Sequence, residues 1–477
     1  MVATSEMDSR PLVAIAGASG FVGTFLRSEL GDAFRFRGLT RSPTVAGRGV
    51  DSAGTEWKQC DLFSLPKVAK ALEGCDFALY LVHSMSPSSR LVQANFADLD
   101  LLLADNFVRA AEMAGVRRIV YLGGLLPEES DGLSPHLRSR LEVEKVLRSR
   151  SIPVTALRAG LIFGPGGSSF TMLIRLVKRL PIMVLPRWVR SQTQSVDILD
   201  VVRAFRLSLE DERFAEGVYD LGGHQPMTYR ELIVETGRIL GTRVRYLDFP
   251  LNAFALSKRW VSLFGGVPTS LSGPLLESLS HDLCARPNEL LDEIRRDAIP
   301  FESSLRRSVD EAGRPRENPR KEVIRSDRPK IRRAKQVRSV QRLPLPSGWD
   351  AERVSLEYGT WLTQRFRGLL NVAPREDGSI CFNWTAPKLL LLRLDPSPYT
   401  RDSSDRKAFY IAGGVLSQKP EPPGRLEFRL FPEEGYLVAA IHGFVPRMPW
   451  WLYSLTQARI HLFVMRRFGN YLKKMSE

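Results

Sequence analysis

Leu12-Val13-Ala14-Ile15-Ala16 runs directly into Gly17-Ala18-Ser19-Gly20-Phe21-Val22-Gly23, and this junction decides the fold expected for the first part of the chain. The apolar run is short, β-branched and followed by GxxGxxG spacing, which predicts a buried first strand turning into a helix. Such a turn suits a dinucleotide. Gly17 permits the tight turn, Gly20 lets the backbone approach a pyrophosphate, and Gly23 lets the helix lie close to the strand. Free N–H groups at the helix start face the phosphates. Gly17, Ala18, Ser19, Gly20, Phe21, Val22 and Gly23 are therefore the candidate cofactor loop.

The next strand, Phe34 to Thr40, ends at Arg41, where the residue that reads the ribose is expected. An arginine there offers a planar donor fork for a 2′-phosphate, so NADP is favoured over NAD. Asp61 and Leu62 follow a strand-like Thr55 to Lys58, placing Asp61 to accept from an adenine amino group. Further strands are expected at Asp76–Val82, Arg118–Leu122 and Val154–Arg158, with helices over Leu91–Ala114 and Pro135–Arg150. This alternation predicts an α/β domain with a doubly wound parallel sheet, whose ligands bind at the carboxyl ends of the strands. Leu81, Val82, His83 and Ser84 then lie beside the groove, Leu81 and Val82 against the cofactor. His83 is a candidate catalytic donor, with a structural hydrogen bond as its alternative role.

At 477 residues, two or three domains are expected, and a 43% hydrophobic content is ample for their cores. Cys60, Cys75, Cys284 and Cys381 are far apart and without CxxC spacing, so neither a metal site nor a disulfide framework is expected. The first ten residues lack an apolar secretory core and no run approaches a spanning helix, so the expected location is cytoplasmic. The net charge is +15, and residues 303–346 contribute 14 Lys/Arg against 5 Asp/Glu. Prolines break this basic stretch, and residues 311–346 are expected to be a linker. It has no interleaved aromatics and no accompanying recognition motif, so nucleic acid is not the expected partner.

Three stretches add a resemblance: the glycine loop, Asn106-Phe107 through Leu122, and Pro153-Val154-Thr155-Ala156-Leu157-Arg158-Ala159-Gly160-Leu161-Ile162-Phe163-Gly164-Pro165-Gly166. Residues 11–310 resemble the short-chain dehydrogenase/reductase superfamily, and more closely its atypical, NmrA-like, extended-type members. Leu81-Val82-His83-Ser84-Met85 and Leu185 to Ser191 resemble a bacterial subgroup with an additional C-terminal domain. The resemblance implies a Rossmann-type sheet with a small substrate-side region. It also implies a Ser/Thr after the fifth strand and a Tyr-x-x-x-Lys pair on the following helix. Here the serine position falls on Gly123-Gly124, and the pair on His136 and Arg140; an alternative register uses Lys145 but puts Leu141 at the tyrosine position and so has no acid.

Positions four apart share a helix face, so the geometry of a pair survives while its chemistry changes. Arg140 can hold a ribose or phosphate but cannot act as an adjustable amine. His136 can relay a proton, or pack as a structural residue, and the cation of Arg140 disfavours its imidazolium. Two functions remain from this reading: an NADP-dependent oxidoreductase of an apolar carbonyl or olefinic small molecule, and a non-catalytic NADP(H) redox sensor. In the substrate-side region, Arg187 and Arg190 flank Trp188 and Val189 on a segment that suits two roles equally, a cover over the groove that binds an anionic substrate, or packing with the arginines in salt bridges. Apolar helices are expected near Pro250–Phe264 and Gly273–Leu283.

Residues 347–477 change rhythm. A helix over Val354–Phe366 precedes strands at Ser379–Trp384, Lys388–Leu394, Ala408–Leu416, Arg425–Phe431 and Tyr436–Phe444, and a long helix closes the chain from near Trp450. The pattern resembles an α+β helix-grip, START-like domain. Trp450, Trp451 and Tyr453 beside that basic helix fit a peripheral contact with the inner membrane, and packing of the helix on the sheet is the alternative.

Overall fold

The structure, a computed structural model, describes residues 9–83, 91–128, 132–180, 182–249, 278–321 and 336–476. The chain divides into two units, residues 1–83 with 100–325 and residues 84–99 with 326–477.

In the first unit, β1 (Leu12–Ala16) is buried at all five positions, the outcome its unbroken apolar run dictates for a strand covered on both faces. It is joined by β2 (Arg35–Thr40), β3 (Glu56–Gln59) and β4 (Phe77–Tyr80). A short strand, β5 (Leu91–Gln93), belongs to the other unit. With β6 (Arg118–Gly124), β7 (Val154–Ala159) and β8 (Gly217–Leu221), the first four form a parallel seven-stranded sheet in the order β8-β7-β6-β4-β1-β2-β3. This is the α/β, Rossmann-type parallel sheet expected. The strand order reverses between β1 and β4, and connections leaving their carboxyl ends diverge there to open a crevice.

Helix α1 (Phe21–Glu29) connects β1 to β2, α2 (Phe96–Met113) leads into β6, and α3 (Pro135–Leu147) connects β6 to β7. On α1, Phe25 and Leu26 are buried in one core with Val201 and Phe205 of the helix Ile198–Glu210.

Two expectations need correction. The helix expected from Leu91 starts at Phe96, because Asn95 accepts from the Asp98 N–H at 2.7 Å as a helix cap and Leu91–Gln93 is a strand. The stretch expected as a linker, residues 311–346, is not uniform. Its start packs on the first unit, where Asn318 Nδ2 donates to Thr24 Oγ1 at 2.7 Å and the Arg320 guanidinium lies 4.3 Å over the Phe25 ring. Its end, Val337–Pro344, is a strand, β9. The second domain therefore includes residues before 347. Residues 322–335 lie outside the described residues, as do Ser84 and the expected helix over 250–264.

In the second unit, β9 is followed by α4 (Ala351–Arg365) and six strands, β10 (Leu370–Pro374), β11 (Ile380–Trp384), β12 (Leu389–Pro396), β13 (Arg406–Gly413), β14 (Arg425–Phe431) and β15 (Tyr436–Phe444). Two helices close the chain, α5 (Trp450–Leu455) and α6 (Gln457–Ser476). The sheet order is β10-β11-β12-β13-β14-β15-β9-β5, antiparallel except for the last pair. Alternation explains the sidedness. Leu426, Phe428 and Leu430 of β14 face a core shared with Tyr358 and Trp361 of α4 and Phe468 of α6, the Tyr358 and Phe468 rings lying 5.0 Å apart. On the opposite face of β14, Glu427 is fully buried. Burial alone would raise its carboxyl, but Arg406 at 2.9 Å and Arg429 at 2.5 Å hold it well below the usual carboxylate range.

Candidate functional site

At the carboxyl edge of β1, Gly17 adopts φ +98°, and its carbonyl accepts from the Gly20 N–H at 2.9 Å. A side chain at Gly17 would meet Leu81 Cβ at 3.1 Å, and the Leu81 N–H donates to the Ala16 carbonyl at 2.9 Å. Leu81 thus backs the turn directly. Gly20 is the cap of α1 in an extended conformation, and no side chain caps the helix. Its first N–H groups therefore face outward with the positive end of the helix dipole, the arrangement that receives an anion. At Gly23 a Cβ would sit 2.5 Å from the Gly17 carbonyl oxygen and 2.8 Å from Ala18 Cα, so this position must be glycine for the helix to reach the turn. Here the residues fit a dinucleotide, because an uncapped helix start and a close-packed glycine turn leave the backbone itself as the binding surface.

The parallel register carries the neighbouring positions to the same edge. Ala16 pairs with Leu39 and Tyr80, and Thr40 with Gln59. Arg41 leaves the end of β2, exposed and without an ion pair among the described residues. Asp61 and Leu62 leave the end of β3. The Asp61 carboxylate accepts from the Phe63 N–H at 3.3 Å, and the Leu62 carbonyl accepts from Asn106 at 2.9 Å. Val82 is half-buried beyond β4 and His83 keeps solvent access.

On α3, His136 and Arg140 share one face, as their spacing requires. Tyr121 in the middle of β6 donates its hydroxyl to the Arg140 carbonyl at 3.3 Å. Arg140 is only 4% exposed, yet Nε, Nη1 and Nη2 make no hydrogen bond of good geometry among the described residues, the Tyr121 hydroxyl being a polar side-chain group beside them. The facing carboxylate of Asp100 on α2 stands 3.7 Å away, an ion contact too long for a hydrogen bond. Buried donors of this strength are almost always satisfied. A guanidinium held ready beside the crevice is therefore a ready-made hold for an oxygen-rich ligand.

Burial, and after it the neighbouring Arg140 cation, lower the His136 pKa to about 4. The His136 ring is accordingly neutral at pH 7 and acts as a hydrogen-bond donor or acceptor rather than as an acid. The serine position is Gly123-Gly124 at the end of β6, where a Cβ on Gly123 would already meet the Tyr121 ring at 3.0 Å.

Three contributors have no local motif. Tyr80, fully buried at the end of β4, has a hydroxyl without a hydrogen-bond partner among the described residues. Asp100 is a carboxylate on the buried face of α2; its only sequence signal is acidic residues set among leucines. Glu144 takes a bidentate pair from Arg158 of β7 at 2.7 and 2.8 Å, which pins α3 to the sheet and so fixes where Arg140 and His136 stand. In the substrate-side region, Arg187 and Arg190 are exposed at a cleft of about 620 Å³ that His281 and Asp282 also line.

A family model described as NAD(P)H-binding matches residues 17–170, which spans the glycine turn, α3 and β7. The chain is 29% identical over 115 residues to auxiliary protein GraX of Staphylococcus aureus, covering 24% of this chain and 37% of that protein. It is 28% identical over 264 residues to ceramide reductase of Caulobacter vibrioides, covering 54% and 80%. It is 26% identical over 253 residues to (4-alkanoyl-5-oxo-2,5-dihydrofuran-3-yl)methyl phosphate reductase of Streptomyces griseus, covering 51% and 78%. A solved nucleoside-diphosphate-sugar epimerase from Staphylococcus aureus superimposes with a TM-score of 0.50 at 15% identity, over 62% of this chain and 99% of that one. The chain thus carries an NAD(P)-binding Rossmann-type domain and has reductases among its relatives.

Proposed function

We propose that this protein is an NADP-dependent oxidoreductase that reduces an apolar carbonyl or olefinic small molecule at the carboxyl edge of the seven-stranded sheet. The observation that carries the reading is the meeting, at one sheet edge, of an uncapped glycine-led helix start with a buried guanidinium that makes no well-formed hydrogen bond among the described residues. When bound, NADPH supplies the hydride. The N–H groups of residues 20–23 hold the pyrophosphate, Arg41 the 2′-phosphate, Asp61 and Leu62 the adenine side, and Arg140 the ribose on the nicotinamide side. The relatives named as reductases of a ceramide and of an alkanoyl-bearing phosphate support an apolar acyl-bearing substrate.

The 2′-phosphate assignment is tested by Arg41→Ala. Losing one charge-assisted contact costs about 1.5–3 kcal/mol, so NADPH affinity should fall at least tenfold while NADH affinity barely changes. Calorimetric titration of both cofactors reads this directly, and equal losses would remove Arg41 from the site.

His136, neutral at working pH, donates an N–H to the substrate oxygen, and the proton that completes reduction comes from solvent. His136→Phe should then lower kcat about tenfold, the worth of one hydrogen bond of about 1.4 kcal/mol, rather than the hundredfold or more of a lost general acid. The parent rate should also show no ionisation from His136 between about pH 5.5 and 8, since its pKa of about 4 lies below that window. A profile breaking near pH 6.5 that disappears in His136→Phe would reverse this assignment.

Gly123-Gly124 at the serine position and a neutral imidazole at the tyrosine position favour a second reading, a redox sensor that binds NADP(H) without turnover. Tight NADPH binding with no oxidation across a panel of long-chain ketones, enones and quinones would select it.

A further inference from the structure

We infer that the surface formed by α5 and α6 in the second unit docks onto an anionic lipid bilayer. Helix α6 carries two apolar sets. One, with Ala458, Val464, Met465, Phe468 and Leu472, is buried in the core beneath the sheet, and it accounts fully for the packing of the helix. The other is surplus: Ile460 is 60% exposed and Phe463 47%, continuing Trp451 at 65% and Leu455 at 54% on α5. A packing role does not explain this second set.

The two helices carry cations only, with Glu357 of α4 held by the Tyr471 hydroxyl at 2.7 Å. Arg459, Arg466, Arg467, Lys473 and Lys474 are exposed, and no Asp or Glu occurs between Arg447 and Ser476. None of these five cations is ion-paired among the described residues. The Arg467 guanidinium lies 5.2 Å over the Phe463 ring, so that cation and aromatic stand together at the surface. Among the described residues no helix is long and apolar enough to cross a membrane, which leaves a helix lying in the interface as the geometry available.

Charge decides the occupant. A second copy of this surface would set cations against cations. Nucleic acid would take the cations and the aromatic rings, but it gives exposed Leu455 and Ile460 nothing to bury against. An anionic bilayer satisfies both sets at once, with acyl chains receiving Trp451, Leu455, Ile460 and Phe463 while headgroups receive the arginines and lysines. The inference is independent of how the cofactor site is read.

Flotation of the full chain with phosphatidylglycerol-containing vesicles, against pure phosphatidylcholine vesicles, tests it. The parent should float with the anionic vesicles at least about tenfold more than with the neutral ones, and high salt should reduce that preference. Ile460→Glu with Phe463→Glu, and separately Arg459→Gln with Arg466→Gln and Arg467→Gln, should each lose most of the binding while NADPH affinity and the urea midpoint stay unchanged. Failure of the parent to float, or flotation unchanged in both variants, overturns the inference. So does retardation of a DNA fragment without vesicle binding, or self-association that the variants abolish without vesicle binding. Should the Glu variant lose its urea midpoint, Trp451→Ala and the Gln variant carry the test alone.

Discussion

Gly23→Val is expected to abolish NADPH binding and to lower the stability of the first unit by about 3 kcal/mol. A Cβ at Gly23 lands 2.5 Å from the Gly17 carbonyl and 2.9 Å from the Ala18 carbonyl carbon. These are backbone atoms of the turn itself, so no rotamer change relieves the clash. Helix α1 must back away, taking its outward-facing N–H groups with it. Gly20→Val is the informative partner. Its Cβ would meet only the Gly17 carbonyl oxygen, at 3.1 Å, so the variant should fold nearly as well as the parent. Yet its branched side chain fills the space through which a pyrophosphate reaches the helix start. Urea unfolding and calorimetric titration of the pair separate the two effects: both lose NADPH, and Gly23→Val alone loses substantial stability. A folded Gly20→Val that binds as the parent does would move the cofactor away from this loop.

Arg140→Ala should weaken NADPH about a hundredfold, because the loss of one to two charge-assisted hydrogen bonds, each contributing about 1.5–3 kcal/mol, amounts to about 2.7 kcal/mol. The thermodynamic signature follows by linkage. At a ligand concentration of about a hundred times the parent Kd, NADPH stabilises the parent by about 2.7 kcal/mol, and the variant by about 0.4 kcal/mol at the same concentration. Arg138→Ala is the control, since Arg138 lies on the exposed side of the same helix and should leave both numbers as they are. Matching behaviour of the two variants would show that α3 contributes charge in general rather than a specific hold.

The features legible in the sequence are those local in the chain. The glycine spacing, the i,i+4 pair of His136 and Arg140, and the alternation that bounds Arg425–Phe431 and Tyr436–Phe444 are short-range patterns, and each stands where the sequence places it. Tyr80, Asp100 and the Glu144–Arg158 pair meet through the register of β4, β6 and β7 and the packing of α2, which no single window contains. Their consequence, an arginine buried without a well-formed hydrogen bond among the described residues, is equally invisible there. The misplaced helix start has the same cause. Leu91–Gln93 is apolar enough to extend the helical pattern after it, and only its pairing with Val337–Ser339 makes it a strand. That partner lies in the stretch whose prolines and charges suggest a linker.

The pairing of β5 with β9 also sets an order of events during synthesis. Leu91 is made long before Val337, its partner in the parallel register. At about 5–20 residues per second, roughly 12 to 50 s pass between them. In that interval β1, β2, β3, β4 and β6 can already assemble, while residues 91–93 wait without the neighbour that will receive them. An unpaired strand edge is a template for pairing with other nascent chains. Until the second half emerges, this short segment stays without the strand that it pairs with in the finished sheet.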